Sequence, residues 1–173
     1  IEGKIYASTK PKLISKENPI ANTEGALNAI TVTTDQLKNL YLEGEGAGGF
    51  PTASSVLSDI YEISYNSNYK SLGFAQSKLV KFEKFNSSDL ETKYYLRIRV
   101  TDEPGVLSKI TSYFNDENIS VEKIVQFPDN NSVGIPILIT THKIKSSRLL
   151  SSVKKIEDLD FVFENISVIP IEY

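Results

Sequence analysis

Residues 94–107 read YYLRIRVTDEPGVL, and this stretch decides the fold of the second half of the chain. Leu96, Ile98 and Val100 alternate with polar residues, a period of two that predicts a half-buried strand over 94–101. The turn residues Asp102-Glu103-Pro104-Gly105 end that strand. Apolar residues then recur every three or four positions and predict a helix, at Val106, Leu107, Ile110, Tyr113 and Phe114. A strand, a tight turn and a helix therefore follow one another directly.

Toward the C-terminus, the same patterns predict further strands over 121–127, 133–141 and 166–171. Between the last two strands we expect a helix that begins at a cap formed by Ser146 or Ser147. Pro136 cannot donate a ladder hydrogen bond, so it predicts an edge or bulged position for its strand. The order β-α-β-β-α-β predicts a ferredoxin-like fold, in which four antiparallel strands carry two helices on one face.

The first half contains a glycine-rich loop, GEGAGGFPTASS over 44–55, between a strand and a helix. Strands are expected over 4–8, 28–33 and 40–42, the last two antiparallel. After the loop, apolar residues at helical spacing predict a helix from Ala53 to Asn66.

Three regions follow from these patterns, and the fold class predicted is α+β. Residues 1–66 read as part of an α/β region, and 94–173 as the ferredoxin-like domain. Residues 67–93 are rich in Ser, Asn and Lys without a sustained period, which is typical of a connection.

The composition argues against several classes of function. The chain has no cysteine and one histidine, His142, so neither a thiolate or histidine metal site nor a Ser-His-Asp triad is expected. A net charge of -3 gives no large positive field for nucleic acid or anionic lipid. With no apolar run of membrane length, a cytoplasmic protein that binds a small molecule is expected. His142 and the 143–148 cluster read as a solvated turn and are given no role.

The Asp102–Leu107 turn resembles the signature D-x-P-G-V-L of the ACT domain, and the resemblance covers 94–173. Gly105 lets the backbone turn and presents the amides of Val106 and Leu107 at a helix N-terminus, where a carboxylate is favoured. In that family, effectors often lie between this turn and a second subunit, with contacts from the segment after the first helix. The resemblance thus implies an amino-acid site at Asp102, Gly105, Val106, Leu107, Asn118 and Ile119. Asn118 is equally well explained as a helix cap.

The first half resembles homoserine dehydrogenase. Its segment NPIANTEGALNA over 18–29 is similar to the family's H-P-L-A-x-V-x-G-x-x-N-A, and the glycine loop to its G-x-G-A-G-x-x-P-T-A-S. The resemblance implies that Gly48 contacts the nicotinamide cofactor while Gly46 and Ala47 shape its approach. Glu45 departs from the family, which has proline or a small residue there. A loop without a ligand remains the simpler alternative.

This resemblance implies the C-terminal part of an NAD- or NADP-dependent enzyme that interconverts L-homoserine and L-aspartate 4-semialdehyde. No Rossmann fingerprint and no catalytic lysine or acid of the family is found, so catalytic residues are expected outside this chain and the chain alone should be inactive. The implied effector is an end product of threonine and methionine biosynthesis, L-threonine first. The implied assembly is a dimer through the ACT and catalytic-region strands.

Two alternatives stay open from the sequence. One is a free-standing ACT sensor, and the other is the ACT module of a different amino-acid biosynthetic enzyme. The 44–55 string favours homoserine dehydrogenase over both.

Overall fold

The computed structural model describes residues 3–65, 76–127 and 134–172. The chain forms two compact units, Ile1–Ile14 with Phe82–Tyr173, and Ser15–Lys81. The elements in chain order are β1 (Leu13–Ile14), β2 (Leu27–Thr34), β3 (Lys38–Glu45), α1 (Gly49–Tyr65), β4 (Glu91–Val100), α2 (Val106–Asp116), β5 (Val121–Gln126), β6 (Ile135–Thr141), β7 (Ile144–Lys145), α3 (Ser146–Glu157) and β8 (Ser167–Glu172).

The first unit has the ferredoxin-like fold that the sequence predicts. Its sheet has the order β1-β8-β4-β6-β5, with β7 paired to the start of β4. Alternate residues of β4, namely Leu96, Ile98 and Val100, are fully buried. They pack beneath the apolar stripes of α2 and α3, which supply Ile110, Phe114, Leu149 and Ile156 to the core. The period-two and helical patterns therefore identify the buried faces correctly.

The N-terminal segment differs from its prediction. The strand expected over 4–8 is a single parallel bridge between Ile5 and Lys84. A real strand forms later, at β1, where Leu13 and Ile14 pair in parallel with Ile171 and Glu172 of β8. The segment therefore joins the ferredoxin-like unit and not the 1–66 region. The 67–93 connection is divided as well, because residues from Phe82 onward belong to the first unit, while its 67–75 part lies outside the described residues.

Of two local predictions in this unit, one is partly confirmed and one is wrong. Pro136 lies in β6, which is an interior strand between β4 and β5. On the β5 side its position is nevertheless an edge, because the β5 ladder ends with Gln126 opposite Ile137. The expected serine cap of α3 is not formed: Lys145 occupies the cap position and makes no side-chain capping bond. Ser146 donates its backbone N–H to Leu90 O (3.0 Å) instead.

The second unit consists of the β2–β3 hairpin and α1. The hairpin is antiparallel over eight residues of each strand, from Leu27 opposite Glu45 to Thr34 opposite Lys38. α1 begins at Gly49, four residues before the predicted start, and Pro51 lies in its first turn. α1 buries none of its residues within the chain. Among the described helices, none is long and apolar enough to cross a membrane.

Candidate effector and cofactor sites

The turn between β4 and α2 is held by Gly105, whose φ of 94° lies in the left-handed region. Gly105 is the N-cap of α2 and has no side chain to bond the first-turn amides. The Val106 N–H reaches Glu103 O at 3.4 Å. Of the two amides expected to face a ligand, that of Leu107 therefore remains the better donor, at the positive end of the helix dipole.

A cavity of about 370 Å³ opens at this turn. Four of the six residues predicted to bind an effector line it, namely Asp102, Gly105, Val106 and Leu107. Thr101 lines it too, and its Oγ1 is shielded from solvent without a hydrogen-bond partner among the described residues. Gln126, Ile135 and Ile137 contribute from the neighbouring strands. The cavity thus combines carboxylates, a helix N-terminus, an unpartnered hydroxyl and an apolar wall.

The other two predicted effector residues lie elsewhere. Asn118 lies two residues after the end of α2 and has a φ of 53°. The next residue, Ile119, donates its N–H to Phe114 O at 2.8 Å. The side chain of Ile119 is 6% exposed and belongs to the core, so only its backbone is available to a ligand. α2 has 11 residues, which separates its two ends by about 16 Å. A single chain therefore does not bring Asn118 to the cavity.

The glycine loop is the short crossover from β3 to α1 that the sequence predicts. Gly46, Ala47 and Gly48 lie between Glu45, the last residue of β3, and Gly49, the first of α1. Gly48 has a φ of 118°. Its carbonyl accepts the Thr52 N–H at 3.2 Å. The first turn of α1 holds no acidic residue, so an anionic group of a cofactor would meet a helix N-terminus here.

Sequence reasoning missed three residues at these two places. Thr101 and Gln126 line the cavity, yet the first looks like an ordinary strand end and the second comes near only because β5 lies beside β6. Asn28, in β2, lies against Gly46 across the hairpin. The sequence did offer evidence for Asn28, because NA at 28–29 belongs to the motif that resembles homoserine dehydrogenase.

Family models match both parts of the chain. Residues 1–61 match the model for homoserine dehydrogenase, and residues 94–161 match the model for the ACT domain. The two matches include the motifs over 18–29, 44–55 and 102–107.

The sequences of curated homoserine dehydrogenases match this chain over almost its whole length. A homoserine dehydrogenase of Bacillus subtilis is 33% identical over 98% of this chain and 40% of its own length. One of Mycobacterium tuberculosis is 32% identical over 98% of the chain and 39% of its own length. The chain therefore spans about two fifths of the length of these curated relatives.

Solved structures give the same answer. The crystal structure of a homoserine dehydrogenase from Thiobacillus denitrificans superposes with a TM-score of 0.80 at 31% identity, over 93% of this chain and 37% of that one. The homoserine dehydrogenase of S. aureus has a TM-score of 0.59 at 18% identity and supports the fold. The resemblance to homoserine dehydrogenase followed by an ACT domain is thus confirmed.

Proposed function

We propose that this chain is the regulatory part of a cytoplasmic NAD- or NADP-dependent homoserine dehydrogenase. It would comprise the cofactor-contacting crossover and an ACT domain that binds an amino acid, with L-threonine as the first candidate. The parent enzyme would interconvert L-homoserine and L-aspartate 4-semialdehyde in threonine and methionine biosynthesis. The nicotinamide would carry the hydride, and the catalytic acid and base would come from outside this chain.

The cavity at the β4–α2 turn is the observation that carries the effector site. The Leu107 amide and the start of α2 would hold the carboxylate of an amino acid. Asp102 and Glu103 would attract its ammonium group. The buried Thr101 hydroxyl would take up a polar side-chain group of the ligand, since an unpartnered buried hydroxyl costs free energy that a ligand hydrogen bond would recover.

A second copy would complete this site through β5. Within the described sheet, β5 pairs only with β6, whereas the outer side of β8 is partly covered by β1. An unpaired strand edge is a template for pairing with another chain. In an antiparallel β5–β5 pair, the start of one strand lies beside the end of the other. The partner's Asn118, three residues before its β5, would then approach Gln126 and the cavity, which reunites the two groups of predicted effector residues.

The glycine loop would serve the cofactor. Without side chains, Gly46 and Gly48 let the backbone at the start of α1 approach a dinucleotide closely, and Ala47 adds only a methyl group. Binding of the effector would then bias a conformational equilibrium that includes this loop, provided that the two conformations differ in effector affinity.

Calorimetry on the 173-residue chain tests the effector site. L-Threonine should bind, and L-valine, which has a methyl group in place of the hydroxyl, should bind about tenfold more weakly, since a hydrogen bond to an otherwise unpaired buried group is lost. Thr101→Val should remove that discrimination while Thr140→Val, outside the cavity, should keep it. Sedimentation should show a dimer that L-threonine strengthens. If no amino acid of threonine and methionine biosynthesis binds, the proposal is refuted.

A further inference from the structure

Two adjoining cavities of the first unit, separate from the effector cavity, are lined by lysines. Their volumes are about 610 and 320 Å³, and both include Leu90 and Glu91 in their walls. The larger is lined by Lys4, Lys84 and Lys145, and the smaller by Lys10, Lys12 and Lys143. Neither shares a lining residue with the cavity at the β4–α2 turn.

The fold gathers these lysines from distant parts of the sequence. The segment before β1 supplies three of them, because the Ile5–Lys84 bridge and the β1–β8 pairing hold it beside the sheet. The turn before α3 supplies Lys143 and Lys145. The cluster at 143–148 was given no role from the sequence. In the fold it lies near a second basic segment, the one before β1.

Carboxylates neutralise only part of this charge. Asp89, Glu91 and Glu172 line the two cavities, against six lysines. Lys145 pairs with Asp89 at 3.8 Å, Lys12 pairs with Glu172, and Lys4 pairs with Glu83 at 3.4 Å. Within the described part of the chain, Lys84 and Lys143 have no carboxylate at ion-pair distance. A net positive patch thus lies on a chain whose net charge is -3, and low-dielectric walls concentrate its field.

The start of α3 adds to the same field. Helix N-termini favour anions and acidic first-turn residues, yet α3 has Lys145 at its cap and no acidic residue in its first turn. Asp89, at 3.8 Å from the Lys145 ammonium, offsets part of this unfavourable placement. An anion in the larger cavity would be attracted by the Lys145 ammonium and the helix N-terminus together.

Neutral donors also line the cavities. The side-chain oxygen of Asn86 accepts the Ser88 N–H at 3.2 Å, so its amide NH₂ is the part left for a ligand. Tyr6 lines the smaller cavity. Hydrogen bonding by the Ser8 hydroxyl, and then by the Lys10 ammonium, lowers the pKa of Tyr6.

We propose that these cavities bind a small phosphate-bearing molecule. Its ligands on one side of the Leu90–Glu91 wall would be Lys84, Lys145 and Asn86. On the other side they would be Lys10 and Lys143. Several ammonium donors that converge in a concavity suit the multiple oxygens and double charge of phosphate. The concave shape favours a soluble small molecule over a flat lipid surface. This site is independent of the amino-acid site at the β4–α2 turn.

Titration of the 173-residue chain with inorganic pyrophosphate at constant ionic strength tests this inference. We expect saturable binding with a Kd of about 1 mM or tighter. The double variant Lys84→Gln with Lys143→Gln should weaken it about tenfold or more, because each lost contact is charge-assisted. Lys154→Gln removes the same kind of charge from the last turn of α3 and should leave the Kd unchanged.

Three results would overturn the inference. One is no saturable binding of pyrophosphate, and another is equal weakening by the control variant, which would indicate diffuse charge attraction. The third is binding to phosphatidylglycerol vesicles without binding to free pyrophosphate. Circular dichroism of each variant verifies folding, and L-threonine titration of the same samples reports on the amino-acid site separately.

Discussion

The carboxamide of Asn28 covers the Cα of Gly46: a Cβ added at Gly46 would lie 1.3 Å from Nδ2 of Asn28. The Gly46 N–H also reaches Ala26 O at 3.4 Å, which extends the hairpin into the glycine loop. The backbone just before β2 and a side chain of β2 therefore both contact the first residue of the loop. Asn28 thus acts on the loop as a positioning residue.

Gly46→Ala should force Asn28 out of its place and destabilise the hairpin by roughly 1–3 kcal/mol. Gly44→Ala is the matched control, because a Cβ there meets nothing within 4 Å. Amide hydrogen exchange of β2 and β3 measures both. In the double variant Asn28→Ala with Gly46→Ala, much of the cost should disappear, since the two residues are in direct contact. Fully additive costs would contradict the assigned contact.

Thr141 completes the hydrogen bonding of β4 at the break between β6 and β7. It is fully buried, and its Oγ1 accepts the Tyr94 backbone N–H at 3.1 Å. Thr141→Val keeps the shape but leaves that N–H unpaired, so we expect a loss of about 1–3 kcal/mol in the free energy of unfolding. Urea denaturation measures the loss. Thr140→Val, on the half-buried opposite face of β6, should change stability far less.

Ser152 is a small residue where α3 crosses α2. It is fully buried, and its hydroxyl donates to Tyr113 O at 3.1 Å. Ser152→Leu should overpack this crossing and destabilise the unit by about 1–3 kcal/mol. Thermal unfolding of this variant beside Ser112→Leu, which alters an exposed position of α2, measures the effect. Equal melting temperatures for the two variants would show that the crossing is not tightly packed.

Glu117 and Lys155 link the two helices by a salt bridge of 2.9 Å, and Ser151 donates a second hydrogen bond to the same carboxylate. The Lys155 ammonium and then the Ser151 hydroxyl lower the pKa of Glu117. Hydrogen bonding to Glu117 raises the pKa of Lys155. The lowered carboxyl pKa gives stability that is present above the unfolded value and lost as the pH falls through the folded value. The raised ammonium pKa gives stability that is lost as the pH rises through the folded value.

The melting temperature of the native chain should therefore be higher than that of Glu117→Gln at neutral pH. This difference should shrink below about pH 4 and above about pH 10.5. The difference should be small and should fall with added salt, because the pair is partly exposed. Lys154→Gln, which removes a lysine without an ion pair among the described residues, should show no such window. A difference independent of pH would exclude the salt bridge as its cause.

Local patterns were sufficient to predict the elements of the ferredoxin-like unit. They did not predict the pairing of strands that lie far apart in the sequence. The alternation of Leu96, Ile98 and Val100 identified the buried face of β4, and the turn at Gly105 identified the start of α2. The pairing of β1 with β8 joins residues about 160 positions apart, and two-residue strands leave no period to read. Pro136 indicated an unpaired position, but that β6 is an interior strand and β5 ends before Pro136 depends on the neighbouring strand, which no single segment reveals.

The candidate site shows the same division. Motif positions such as Gly48, Gly105 and Leu107 could be named from the sequence, because a tight turn before a helix has a local signature. Thr101 and Gln126 could not, since they become neighbours only through the order of strands in the sheet. Asn118 was assigned by resemblance, and the 11 residues of α2 keep it away from the cavity within one chain.

The placement of β1 determines where the protein can be cut. A truncated chain that begins at residue 82 would keep α2 and α3 but would uncover the outer edge of β8. Bare edges promote unspecific aggregation, so such a truncation is poorly suited to binding studies. Fusing residues 3–14 back through a short glycine-serine tether should restore a monodisperse unit.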